Sequence, residues 1–161
     1  MTDCHETGQE PDNPGIRIHP PLVLLAVILT GVGLQKLWAL QLTAWPGWPV
    51  AGWVLIGVGV AILVTGWVQF YRARTDVLIH RPASTLIQNG LYRRSRNPIY
   101  VSALFVQLGI GLRLNNLWIV LLVAVTMFIF TKYVIAREEA YLERAFGEGY
   151  VDYTRKVRRW L

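Results

Sequence analysis

The sequence predicts an all-α integral membrane protein with four transmembrane helices, the last two a tight helical hairpin, and a cytoplasmic C-terminal helical extension. Three observations carry this. Of 161 residues, 53% are hydrophobic and only 16% charged; an ordinary soluble domain has about 25%, so the charges are too few to cover a water-facing surface. Four apolar stretches of spanning or near-spanning length alternate with polar segments. Fourteen of the sixteen Lys and Arg residues then fall on one side of a four-span arrangement, the asymmetry expected of cytoplasmic loops. The same composition excludes disorder. The single Cys excludes a disulfide framework and any multi-cysteine metal site.

Residues 1–20 are polar, acidic and Pro-containing, and read as a flexible cytoplasmic tail. They do not read as a secretory signal, because no basic stretch precedes the apolar run. Residues 21–71 hold two spans. The first runs from Pro21, which suits a first helical turn, to about Leu42, with Lys36 near enough to its far end to reach the headgroups. Thr43–Trp48 breaks it with Pro46 and Gly47 and places two Trp at the interface. The second span, Pro49 to about Tyr71, has no charge, and Gly52, Gly57, Gly59 and Gly66 predict a thin face for close helix approach. Residues 72–161 form the third unit, the expected catalytic core. It comprises an Arg-rich loop to Asn97, a shorter apolar run from Pro98 to Leu112, a tight turn at Arg113–Asn116, a span from Leu117 to about Ala136, and a polar helical end.

Charge is divided unevenly. The first twenty residues carry a net −3 and the rest a net +9. The basic residues cluster between apolar runs instead of covering a soluble basic domain, so the partner is a lipid bilayer and not nucleic acid. Both termini and the 72–97 loop are expected in the cytoplasm.

A hairpin of two spans joined by a four-residue turn brings its start and end together. The Arg96-Asn97-Pro98 corner must therefore lie near Arg137-Glu138-Glu139. Asn97 and Pro98 suit N-cap and first-turn positions, so the third span opens with unpaired N–H groups that favour a carboxylate or phosphate; Arg96 strengthens that preference. Glu138 and Glu139 bring carboxylates to the membrane boundary, where a cation or donor must compensate. The result is a zwitterion-shaped pocket roofed by Tyr92, Tyr100 and Tyr141. Plainer readings stand beside it. Arg72, Arg74, Arg93 and Arg94 serve as topology anchors, Glu138 and Glu139 fit a solvated helix face equally well, and Asn97-Pro98 is by default a capped helix start. His80 has no second ligand at metal spacing, so no metal is expected.

The pattern Thr85-Leu86-Ile87, Gly90, Tyr92, Arg96-Asn97-Pro98, Tyr100, then a hairpin, then Glu138-Glu139, Leu142, Phe146-Gly147, Tyr150 and Tyr153 resembles the isoprenylcysteine carboxyl methyltransferase family. The phospholipid N-methyltransferases share that core. The resemblance covers roughly Arg74 to Trp160. It implies a membrane enzyme using S-adenosylmethionine, with cofactor contacts from Ser84, Thr85, Leu86, Ile87, Tyr92, Asn97, Pro98, Ile99, Tyr100 and Glu138. The pocket argument adds Arg96 and Glu139. In this reading the methionine carboxylate lies near Arg96, Asn97 and Pro98, Glu138 takes the amino group or a ribose hydroxyl, and aromatic faces approach the sulfonium.

Two departures bear on chemistry. Many family members have His at the position of Asn97, so no general base is assigned and the catalytic residue is unknown. Eukaryotic members place a substrate-binding Arg where this chain has Val134; a carboxylate acceptor would then need Lys132, Arg137 or Arg159. The acceptor, lipophilic or small, is left open between carboxylate, amine and thiol. The competing reading is a non-catalytic membrane scaffold or assembly protein that retains the fold. A channel formed by oligomerisation is disfavoured, because spans two to four offer little polarity beyond Gln69 and Gln107.

Overall fold

The computed structural model describes residues 19–72 and 86–161. Within them the chain is helical, without strands. Helix α1 spans Pro20–Leu37, α2 Trp48–Arg72, α3 Pro98–Arg113, α4 Leu117–Ile129, α5 Ala136–Phe146 and α6 Glu148–Lys156. A 3-10 turn occupies Gly90–Arg93, and a π-helical stretch at Phe130–Ile135 joins α4 to α5 without a break. Three segments are long and apolar enough to cross a membrane: Pro20–Leu37, Trp48–Arg72 and Leu117–Phe146. Helix α3, at 16 residues, is shorter. The last segment, at 30 residues, is about 45 Å long, more than the hydrocarbon core needs, so its polar end projects beyond the core.

Helix α1 starts where its prolines predict, but it stops at Leu37 and not near Leu42. The cause is non-local. The Leu40 N–H donates to Gln35 Oε1 at 3.1 Å and the Leu42 N–H to Asn115 Oδ1 at 3.0 Å. The Leu40 carbonyl accepts from Leu117 N at 3.0 Å. Residues 38–42 thus find their partners in the α3–α4 turn and have no need of another helical turn.

Helix α2 packs along α3 at backbone contact distance. A Cβ at Gly52 would lie 2.6 Å from Gly109 O and Arg113 N, and one at Gly59 would lie 2.9 Å from Ser102 O. Gly52, Gly59 and Gly66 recur every seventh residue and are all buried, which keeps one thin stripe facing α3. Gly57, expected on that face, has nothing within 4 Å of a built Cβ and is exposed.

Helices α3 and α4 are joined by Leu114–Asn116, where Asn115 takes a positive φ of 49°. Near the turn, Gln107 Nε2 donates to Ile119 O at 3.3 Å. At the other end, the rings of Tyr100 and Phe130 lie 5.3 Å apart. Asn116 caps α4 by accepting from Ile119 N at 3.2 Å and also donates to Gly31 O at 3.1 Å, which ties α1 to this pair. The core at the opposite end is Tyr100, Phe130, Val134 and Ile135, with Val23, Ala103 and Trp160 packed against it.

Candidate functional site

Polar groups from three parts of the chain meet at the end of the bundle where α3 begins: residues 92–100, α5 with α6, and the C-terminal strap 157–160. The first is held from below. With its amide turned to satisfy both ends, Gln69 donates to Asn89 O at 3.3 Å and accepts from Leu91 N at 3.2 Å. Gly90 sits directly over that amide at a positive φ of 62°, so a side chain there would meet both strain and collision. The Tyr92 ring packs edge-on against Phe70 at 5.7 Å.

Gly147 turns α5 into α6 with a φ of 53°, which folds α6 back so that the buried Tyr150 and Tyr153 face the corner. The Tyr153 hydroxyl donates to Tyr92 O at 2.7 Å. The strap then crosses the start of α3. Arg96 N donates to Arg158 O at 3.0 Å, Asn97 Nδ2 to Arg159 O at 2.9 Å, and Ser95 Oγ to the same carbonyl at 3.4 Å. Asn97 therefore does not cap α3 through its side chain, contrary to the sequence expectation. A carbonyl 62 residues later holds its amide instead, which leaves the first turn of α3 without a side-chain acceptor.

The two adjacent glutamates are treated differently. Glu139 is held by two guanidiniums: Arg159 is bidentate, with Nε–Oε1 at 3.1 Å and Nη2–Oε2 at 2.5 Å, and Arg96 Nη1 lies 3.2 Å from Oε1. Glu138 instead faces the Tyr100 hydroxyl. Arg96 also lies beside the Tyr150 hydroxyl, and its buried Nε has no acceptor among the described residues.

The phenols stay protonated. Burial first, then the negative Glu138, pushes the Tyr92 hydroxyl well above its ordinary range. Burial and the charge of Glu139 push Tyr150 up to about 12, with Arg96 pulling the other way. Tyr153 is raised by burial and by Tyr150. Arg159 is raised chiefly by its hydrogen bond to Glu139 and keeps its charge.

Tyr92, Arg96, Asn97, Pro98, Tyr100, Glu138, Glu139 and Arg159 are thus brought together. Ile99 points instead at Gly66, its Cγ1 3.4 Å from a Cβ built there. Leu86 and Ile87 are half-buried, and Lys132 and Arg137 are exposed. Ser84 and Thr85 lie outside the described residues. Sequence reasoning assigned no role to Ser95, Tyr150, Tyr153 or Trp160. The two tyrosines carried a signal, a pair three residues apart on an otherwise polar helix; Ser95 carried none.

The residue set fits S-adenosylmethionine on chemical grounds. A phenol-supported carboxylate suits an ammonium or ribose hydroxyls, and a buried guanidinium N–H without an acceptor suits a carboxylate. The model of the phospholipid methyltransferase family matches residues 48–149, well over half of the chain. The chain belongs to that family.

Among its relatives, an uncharacterized protein of Haemophilus influenzae is 43% identical over 63 residues, covering 39% of this chain and all of that protein. The protein-S-isoprenylcysteine O-methyltransferase of Schizosaccharomyces pombe is 36% identical over 72 residues. That match covers 45% of this chain and 30% of the yeast protein. The corner formed by residues 92–100 and 138–160 lies partly inside the region that the family model matches. All of α3 and α4 and the start of that corner fall inside the matched region.

Proposed function

We propose that this chain is an S-adenosylmethionine-dependent membrane methyltransferase whose acceptor is lipophilic or membrane-associated. The observation that carries the reading is the pairing, at one corner, of Glu138 beside a phenol with a buried Arg96 N–H that lacks an acceptor among the described residues. A scaffold protein gains nothing from leaving such a donor unsatisfied, because an unmet buried N–H costs about 1–3 kcal/mol.

Bound S-adenosylmethionine would supply a methyl group on a sulfonium, already a good leaving group. The work left to the chain is binding, alignment and exclusion of water. Tyr100 fixes the Glu138 carboxylate, which accepts from an ammonium or a ribose diol. Arg96 and the first turn of α3 face the carboxylate end. Tyr92, Pro98 and Tyr100 keep the corner dry. Leu86 and Ile87 would close it from the loop side; Ser84 and Thr85 join them as cofactor contacts on the family resemblance alone. Lys132, on the π-helical stretch, and Arg137, on α5, are exposed and would meet an acidic acceptor entering from the bilayer. The acceptor group itself, carboxylate, amine or thiol, is a matter for substrate screening.

The same proposal includes topology. Four crossings, with α3 as a short one, would put both termini and the corner in the cytoplasm, a reading supported by the distribution of Lys and Arg. Accessibility of single cysteines placed at Thr43 and Gln88 to an impermeant thiol reagent tests it, with only the first labelled from outside.

Calorimetric binding of S-adenosylmethionine and S-adenosylhomocysteine to the purified protein, beside Glu138→Ala, tests the function. The expected result is binding to the wild type that weakens at least tenfold in the variant, about 1.4 kcal/mol, with folding retained. No binding to the wild type in either detergent or lipid would favour the scaffold reading.

A further inference from the structure

We propose that Arg159 is a positioning residue for the cofactor's carboxylate, acting through Glu139 on Arg96. The proposal rests on the methyltransferase reading above and extends it to the C-terminal strap.

Two arginines share the Glu139 carboxylate. A guanidinium meets a carboxylate best through two parallel N–H···O bonds. Arg159 has that geometry with Glu139, using Nε and Nη2. Arg96 is left with one contact, Nη1 to Oε1 at 3.2 Å, and its Nε edge has no acceptor among the described residues. The side chains of Arg96 and Glu139 are 13% and 14% exposed, so water does little to satisfy that edge. Without Arg159, both oxygens of Glu139 would open to Arg96, whose Nη1 and Nη2 would close on them as an end-on fork. The corner would then be neutral and its pull on an anion lost. With Arg159 present, the three groups carry one surplus positive charge beside an unused N–H, which is a seat for an anion.

Arg159 is not a chance surface residue in this arrangement. Its carbonyl accepts from both Asn97 Nδ2 and Ser95 Oγ, and its neighbour Arg158 accepts from Arg96 N. Trp160 packs on the cluster of Tyr100, Phe130, Val134 and Ile135. The strap is therefore pinned on both sides of Arg159, and its guanidinium is held over Glu139. Arg159 touches neither the reacting atoms nor Glu138; its influence passes through the shared carboxylate.

Two probes separate positioning from scaffolding. S-Adenosylhomocysteine carries the amino-acid carboxylate; 5′-methylthioadenosine keeps the nucleoside thioether and lacks it. In Arg159→Gln, binding of the first should weaken roughly tenfold and binding of the second less than twofold, measured by calorimetry on the full-length protein. Equal weakening of both, as a loosened fold would give, overturns the proposal, as does no change in either. If Arg159→Gln does not fold, Arg159→Lys decides by the same ratio. Lysine keeps the charge but cannot fork, so the ratio should shift in the same direction by a smaller factor, and a wild-type ratio refutes the idea. A wild-type protein that binds neither probe removes the cofactor reading itself.

Discussion

The two ends of the bundle differ in their aromatic residues. Trp38, Trp45, Trp48, Trp53 and Trp118 lie at the end of the α1–α2 connection, whereas all seven tyrosines lie toward the other end. An indole can only donate, and at the first end the donors are used locally: Trp48 Nε1 to Thr43 O at 2.9 Å and Trp118 Nε1 to Trp38 O at 2.8 Å. A phenol both donates and accepts, and at the second end phenols lie beside charges, Tyr100 at Glu138 and Tyr150 at Arg96. The same contrast appears in two asparagines that each precede a helix. Asn116 caps α4 and ties α1 to it; Asn97 leaves α3 uncapped and holds the C-terminal strap. One end closes its polar groups for stability with the exception of Gln107 Oε1, a neutral acceptor, and the other keeps a charged donor available.

This contrast can be broken most severely at Glu139. Replacing it by Ala leaves two guanidiniums side by side with no counter-charge, so Glu139→Ala should lose about 3 kcal/mol of stability, as loss of one partner from a buried pair does. Thermal unfolding in a fixed detergent reads this; a loss comparable to an exposed pair, under 1 kcal/mol, would show that the clamp is superficial. At the opposite end, Asn116→Ala removes a cap and a buried bond together, at a cost of about 2 kcal/mol. Cofactor affinity in Asn116→Ala should not change. Asn97→Ala should do the reverse, with about 1 kcal/mol of stability lost and clearly weaker S-adenosylhomocysteine binding once the strap is loosened. If Asn116→Ala weakened binding as much as Asn97→Ala, the two ends would not be separable.

How far this was legible in the sequence follows from the range of each interaction. Helix positions and class were readable because hydropathy and proline are local signals. The early end of α1 was not, because Leu40 and Leu42 bond to residues in the α3–α4 turn. The π-helical stretch has no marker in Phe130–Ile135, a sequence as suited to an α-helix. The meeting of residues 96–98 with 138–139 was legible from the short turn alone. Adjacent glutamates look alike in a sequence, though; only the path of the strap separates Glu139, held by two arginines, from Glu138, beside a phenol. Gly57 shows the same limit, since it shares the composition of the glycine face but not its seven-residue spacing.

The smallest expected effect concerns the phenols themselves. Burial raises Tyr150 from its ordinary value of 10 to about 12, and Tyr92 and Tyr153 are raised in the same direction. For a group that is neutral when protonated, a raised folded-state value means that the folded protein binds the proton more tightly than the unfolded chain. The contribution is then complete below about pH 10 and is lost as pH climbs toward 12. Stability should be insensitive to these phenols through neutral pH and fall in the alkaline window. Tyr150→Phe should make that fall shallower, since one of the titrating groups is gone, at the cost of the hydroxyl's place beside Arg96. Unfolding temperatures between pH 9 and 12, wild type beside Tyr150→Phe, read the difference in slope. An identical slope would mean that Tyr150 meets solvent in the folded protein and does not brace Arg96. Because the end with the tryptophans has no tyrosine to titrate, any alkaline loosening traced to phenols must begin at the corner and not at the α1–α2 connection.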